Sequence, residues 1–225
     1  MRVDIWSDVI CPWCYVGKAR FEKALDGFAH RDEVEVVYHS FELDPSAPRG
    51  ESESNLAMLS KKFGKSPAEA LALDDQVGKL ARAEGLGFDS ARPVGNTFDV
   101  HRVLHLGLDK GVQHALLNAV NEAYFAQARD VFDRDVLTGL AAGAGLDAGE
   151  VGKILDGDDY ADDVRQDEQQ ARQIGISGVP FFVLDMRIGV SGAQSTETFT
   201  QALTQAWESR RGPGGRPPGE KEHDD

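Results

Sequence analysis

Cysteine is scarce in this chain: its 225 residues hold two, Cys11 and Cys14, with no third thiol to pair with either. That excludes a disulfide-stapled miniprotein and a four-cysteine zinc site. Basic residues are also in the minority, 24 Lys and Arg against 38 Asp and Glu, for a formal net charge of −14 at pH 7. They are scattered and form no stripe, which argues against a nucleic-acid or anionic-membrane partner. No stretch approaches the roughly 18 apolar residues of a membrane span, and "MRVDIWSDVI" carries no apolar signal-peptide core. The expected location is the cytoplasm, where thiol-reducing systems keep structural disulfides rare. Two close cysteines there point to chemistry or metal.

What is present reads as a folded globular chain, 41% hydrophobic with three tryptophans. "RVDIW" (2–6) alternates Val3 and Ile5 with polar neighbours, as a strand does. From Cys11 onward Trp13, Val16, Phe21, Ala24, Leu25 and Phe28 recur at helical spacing. "VEVVYHSFEL" (34–43) is β-branched and aromatic and reads as a second strand, which completes a β-α-β unit with parallel strands. Residues 44–175 read as almost wholly helical, with a Ser66–Glu69 capping box and Pro67 in its first turn. "PFFVL" (180–184) and "RIGV" (187–190) are two strands about a two-residue Asp185–Met186 loop, followed by a helix over 195–210. The fold class is α/β. Residues 1–43 and 176–210 are expected to form one domain, 44–175 a helical insertion domain, and the Gly/Pro-rich 211–225 a disordered tail.

"CPWC" suits disulfide exchange because positions i and i+3 of a first helical turn approach each other. Unpaired N–H groups there favour a thiolate at Cys11, which can attack, while Cys14 lies one turn inside and can resolve. Pro12 fits the first turn, having no N–H to lose. A zinc half-site competes with this reading, but it needs two further ligands, and His101 with His105 lacks the Glu of H-E-x-x-H. A structural crosslink would close too short a loop to constrain the unfolded chain much. Pro180 in "SGVPFFV" is unusual at the start of an apolar strand.

Taken in order, "SDVICPWCYVGK", "SFELDP", "NTFDVHRVLH", "YFAQARDVFDRDVL" and "ISGVPFFVLDMRIGVSGAQ" resemble the DsbA-like branch of the thioredoxin superfamily, and within it the FrnE-type subgroup, over residues 3–207. The resemblance implies a thioredoxin-like fold, β-α-β plus β-β-α with a long all-helical insertion. It implies thiol-disulfide oxidoreductase or isomerase activity with Cys11 as nucleophile, Cys14 as resolving thiol and a cis bond at Val179–Pro180. Pro12, Trp13, Val179, Pro180, Asn96, Thr97 and His101 become candidates to bind substrate. For Asn96 or Thr97 a simple helix cap, and for His101 a core role, stand beside that reading. Asp8 is a candidate proton acceptor for Cys14 or a capping or turn-forming residue, Tyr15 a candidate groove residue, and Lys18 a solvated lysine or, folded back into the groove, a support for the thiolate. Gly192 and Gln194 are candidates for a glutathione contact or a plain turn.

No metal and no bound cofactor are implied beyond the redox-active Cys11–Cys14 disulfide, with glutathione as a candidate co-substrate. The implied partners are a disulfide-containing protein or small molecule and a thiol reductant such as glutathione or thioredoxin. Trp13 stands where DsbA carries histidine, which removes a cation from beside the thiols. The expected reduction potential is therefore about −200 to −270 mV, not DsbA's roughly −120 mV. Two other functions remain open on the residues. One is a glutathione-dependent isomerase or transferase of a small aromatic or polyketide-like molecule, whose members carry serine at the Cys11 position. The other is a non-enzymatic chaperone.

Overall fold

A computed structural model describes residues 1–210, so the expected tail at 211–225 lies outside the described residues. Strand β1 (Arg2–Ser7) leads into α1 (Pro12–Asp26) and then β2 (Glu35–Ser40). After a long excursion the chain returns as β5 (Phe181–Leu184), β6 (Ile188–Ser191) and α9 (Thr196–Ser209). The four long-sheet strands run in the order β2-β1-β5-β6, with β1 parallel to β2 and antiparallel to β5. This is the thioredoxin-like arrangement, β-α-β plus β-β-α, and the intervening segment is a mostly helical insertion.

Because β1 is central, it is buried on both faces, which is why Asp4 and Trp6 lie inside as well as Val3 and Ile5. One face packs on α1 and α9, where Phe21, Phe182 and Phe199 meet in tilted and edge-on pairs with centroids 4.6–5.7 Å apart. The other face holds Trp6, Ile176 and Val183 against Ala171 of α8 (Ala161–Gln173).

The outer edge of β2 is closed by side chains of the insertion. Tyr38 N–H donates to Gln113 Oε1 (3.0 Å) and Tyr38 O accepts from Gln113 Nε2 (2.8 Å). Ser40 N–H donates to Asp167 Oδ2 at 2.8 Å, and Glu42 N–H to Glu168 Oε1 at 3.3 Å. Residues 38, 40 and 42 point the same way along an extended strand, so three successive outward donors are occupied.

The insertion departs from the expected helical run in two places. Ser52–Ser54 (β3) and Pro93–Gly95 (β4) form a small antiparallel pair. These three-residue polar or half-buried segments have no alternation to read, and tertiary contact alone pairs them. Later in the run, α5 (Gln113–Asn121) gives way to a π turn at Glu122–Ala126. The remaining helices are α2 (Asn55–Phe63), α3 (Pro67–Ala83), α4 (Phe98–Asp109), α6 (Arg134–Gly143) and α7 (Ala148–Asp156). The Ser66–Glu69 capping box is present on α3. In the β5–β6 hairpin Asp185 and Met186 both take positive φ (52° and 54°), as a type I′ turn requires. Leu184 nevertheless pairs with Ile188, so β6 starts one residue later than the sequence suggests.

Candidate active site

Cys11 is the N-cap of α1 and Pro12 occupies its first turn. The Cys11 sulfur takes the role usually played by a Ser or Asp oxygen and accepts from Cys14 N–H at 3.4 Å. Its own S–H faces Val179 O at 3.7 Å. The Val179–Pro180 peptide is cis, and Pro180 Cγ lies 3.0 Å from where a Cβ on Gly17 would stand. Glycine at position 17 therefore lets the proline loop seat against α1. Both cysteines are free and buried, whereas Trp13 between them is 45% exposed.

Burial pushes the Cys14 thiol well above the ordinary thiol range, and the neighbouring Cys11 sulfur pushes it the same way. Cys14 is thus held protonated until something draws its proton off. The backbone N–H groups of Ser177, Gly178 and Val179 donate to nothing among the described residues. Ser177 and Gly178 are exposed, so this loop offers unpaired backbone groups beside Cys11.

Asp8 does not cap α1. Its carboxylate accepts from Leu43 N–H at 2.7 Å and faces His101 Nε2 at 3.3 Å, while its carbonyl accepts from Cys11 N–H at 3.1 Å. Asp8 ties the turn before Cys11 to the segment after β2 and to α4. His101 and Thr97 are each 2% exposed, so neither offers surface to an incoming chain. Asn96 is half-buried; its amide donates to Ala47 O and Glu42, and its oxygen accepts from Phe98 N–H at 3.0 Å, a local cap-like bond.

Two sequence readings are corrected outright. Tyr15 does not face a groove: it is buried and stacks on Phe125 at 4.4 Å. Lys18 is not a solvated lysine but is 8% exposed, ion-paired to Glu22 at 2.7 Å. Gly192 N–H donates to Pro180 O, and Gln194 closes back on Ser191 O, which is a turn.

The sequence reading missed a buried charge cluster behind the sheet. His39 bonds Asp167 (2.6 Å) and Asp4 (2.8 Å), and Trp6 stacks on its ring at 4.5 Å. Burial would lower the His39 pKa, but the two carboxylates raise it to about 9. No motif marks this cluster, whose members stand far apart in the chain.

A family model described as a DSBA-like thioredoxin domain matches residues 2–204. A probable DsbA oxidoreductase from Streptomyces coelicolor is 53% identical, with a TM-score of 0.89 over 97% of this chain and 100% of its own. An uncharacterized protein of Bacillus subtilis, YwbO, is 27% identical over 91% of this chain and 96% of its own length. A cytosolic disulfide reductase from Pseudomonas aeruginosa, DsbM, also solved with GSH, shares the fold at 17% identity and TM-scores of 0.63 and 0.62, covering 92–93% of this chain and all of its own.

Proposed function

The chain belongs to the DSBA-like thioredoxin domain family, and on that premise we propose that it reduces or isomerises disulfides with the Cys11–Cys14 pair. One observation carries the reading: Cys11 caps α1 with its sulfur, 3.7 Å from the Val179 carbonyl that precedes Pro180. In this reaction Cys11 attacks a substrate disulfide and releases one thiol. Cys14 then attacks the Cys11 sulfur, frees the second thiol and leaves the oxidised pair.

The unpaired backbone of 177–179 supports strand-like addition of an extended substrate, with affinity from main-chain bonds and little sequence selectivity. Pro12 and exposed Trp13 would form the substrate-facing rim with Val179 and Pro180, and Asn96 would border it. Buried His101 and Thr97 would act from beneath, through Asp8 in the case of His101. Residues 1–43 with 176–210 would form the redox domain and 44–175 the domain that shapes its surroundings.

Within the family we assign the chain to the FrnE-type subgroup and to the cytoplasm, with glutathione or thioredoxin as reductant. The GSH-bound DsbM lends support to glutathione. Insulin reduction with wild type, Cys11→Ser and Cys14→Ser tests the reading. The expected result is loss of activity in Cys11→Ser and accumulation of mixed disulfides in Cys14→Ser. Full activity in Cys11→Ser would overturn it and favour a binding role.

A further inference from the structure

Closing the Cys11–Cys14 bond requires the Cys14 thiol to lose a proton from a buried position. Cys14 lines a small, partly open cavity with about 10 Å³ for the centre of a water-sized molecule, whose polar lining is Ser7, Asp8, Lys18, Tyr38 and Asn121. That is close to the least room in which one water molecule fits. Tyr38, on its wall, carries a buried hydroxyl with no hydrogen-bond partner among the described residues. A buried hydroxyl without a partner is costly, and a water in the cavity would supply one.

From the cavity wall a chain of polar contacts leads outward. Lys18 Nζ pairs with Glu22 Oε1 at 2.7 Å and donates to Asn118, and Glu22 bonds His114 Nε2. The His114 side chain is 58% exposed. Asp8 is the other charged group at the cavity, and its two oxygens are already engaged by Leu43 N–H and His101. The titratable groups facing Cys14 and the cavity are thus Cys11, Asp8, Lys18 and Tyr38, with Glu22 and His114 on the outer side.

We propose that this cavity holds one water bound by the Tyr38 hydroxyl, and that Lys18, Glu22 and His114 carry the Cys14 proton from it to solvent. The proposal rests on the redox reading above. As Cys14 sulfur attacks the mixed disulfide, the Cys11–Cys14 bond forms and the bond from Cys11 to substrate sulfur breaks. The substrate leaves as thiolate with the electron pair and takes a proton from solvent. The Cys14 proton passes to the water and on to Lys18 as Lys18 hands one of its own toward Glu22 and His114. The substrate disulfide is reduced and the cysteine pair oxidised, so charge and electrons balance.

Stopped-flow reaction of the reduced protein with dithiobis-nitrobenzoate, whose thiol product is coloured, separates the two steps. The first equivalent of colour reports Cys11 attack and the second reports resolution by Cys14. In Tyr38→Phe and Lys18→Met the first phase is expected to stay within about twofold, and the second to slow about tenfold or more at neutral pH. The gap should close at alkaline pH, where hydroxide replaces the relay. Equal slowing of both phases, or an unchanged second phase in both variants, would overturn the proposal. A second phase that survives Cys14→Ser would instead overturn the redox reading itself.

Discussion

The outer edge of β2 and the loop beside Cys11 treat polar backbone groups in opposite ways. On the β2 side the N–H groups of Tyr38, Ser40 and Glu42 each receive a side-chain acceptor from the insertion, and His39 sits between two carboxylates. At the redox end the loop 177–179 keeps its N–H groups unpaired among the described residues, and there the Cys11 sulfur meets only Val179 O and the Cys14 N–H. In the first region these strand-edge N–H groups are partnered and contribute stability. The second is left open, as the proposed entry of a substrate's backbone and sulfur requires, and its exposed Trp13 contributes little to the core.

That contrast predicts a ranking of effects, and each substitution is a way to break it. The largest belongs to Asp167→Asn, which removes a buried charge from His39 and Ser40. A loss of about 3–5 kcal/mol in urea unfolding is expected, and a loss under about 1 kcal/mol would erase the distinction between the regions.

A pH titration of stability comes next. The His39 pKa is about 9 in the fold against an ordinary 6.5, so its contribution is complete below pH 6.5. It is lost as pH rises from there through about 9, a fall on the order of 3 kcal/mol. Stability that rises across this window would contradict the clamp. At the acid end burial raises the Asp4 and Asp167 carboxylates, but His39 and then Arg2 beside Asp4, and His105 and then His39 beside Asp167, hold both below their usual range, and their contribution is lost as they protonate.

Gln113→Ala opens the Tyr38 edge and should cost about 1–2 kcal/mol in the same assay. Smallest of all, Trp13→Ala should change stability by no more than about 0.5 kcal/mol, while shifting the rate of reaction with substrate disulfides. A large loss of stability there would mean that the redox end is built like the rest.

The same contrast explains what the sequence discloses. The redox end is written in local spacing: "CPWC" at a helix start and "SGVP" before an apolar strand each carry their chemistry within a few residues. The β-α-β frame is legible for the same reason, from alternation and helical periodicity. The partnered region is not. Asp4, His39 and Asp167 belong to three separate elements, Asp167 as one of many polar residues of α8, and only the parallel pairing of β1 with β2 and the packing of α8 bring them together. Lys18 misleads because a lone lysine on a helix is ordinarily solvated, and its burial depends on Asn118 and Glu22. The β3–β4 pair is too short for any pattern.

The central claim is that Cys11 and Cys14 form a redox pair moderated by Trp13. Equilibrating the purified protein in glutathione buffers and counting free thiols at each ratio tests it most directly. The account predicts a single two-electron transition to a Cys11–Cys14 disulfide at about −200 to −270 mV. A midpoint near −120 mV, or no intramolecular disulfide at any ratio, would contradict it.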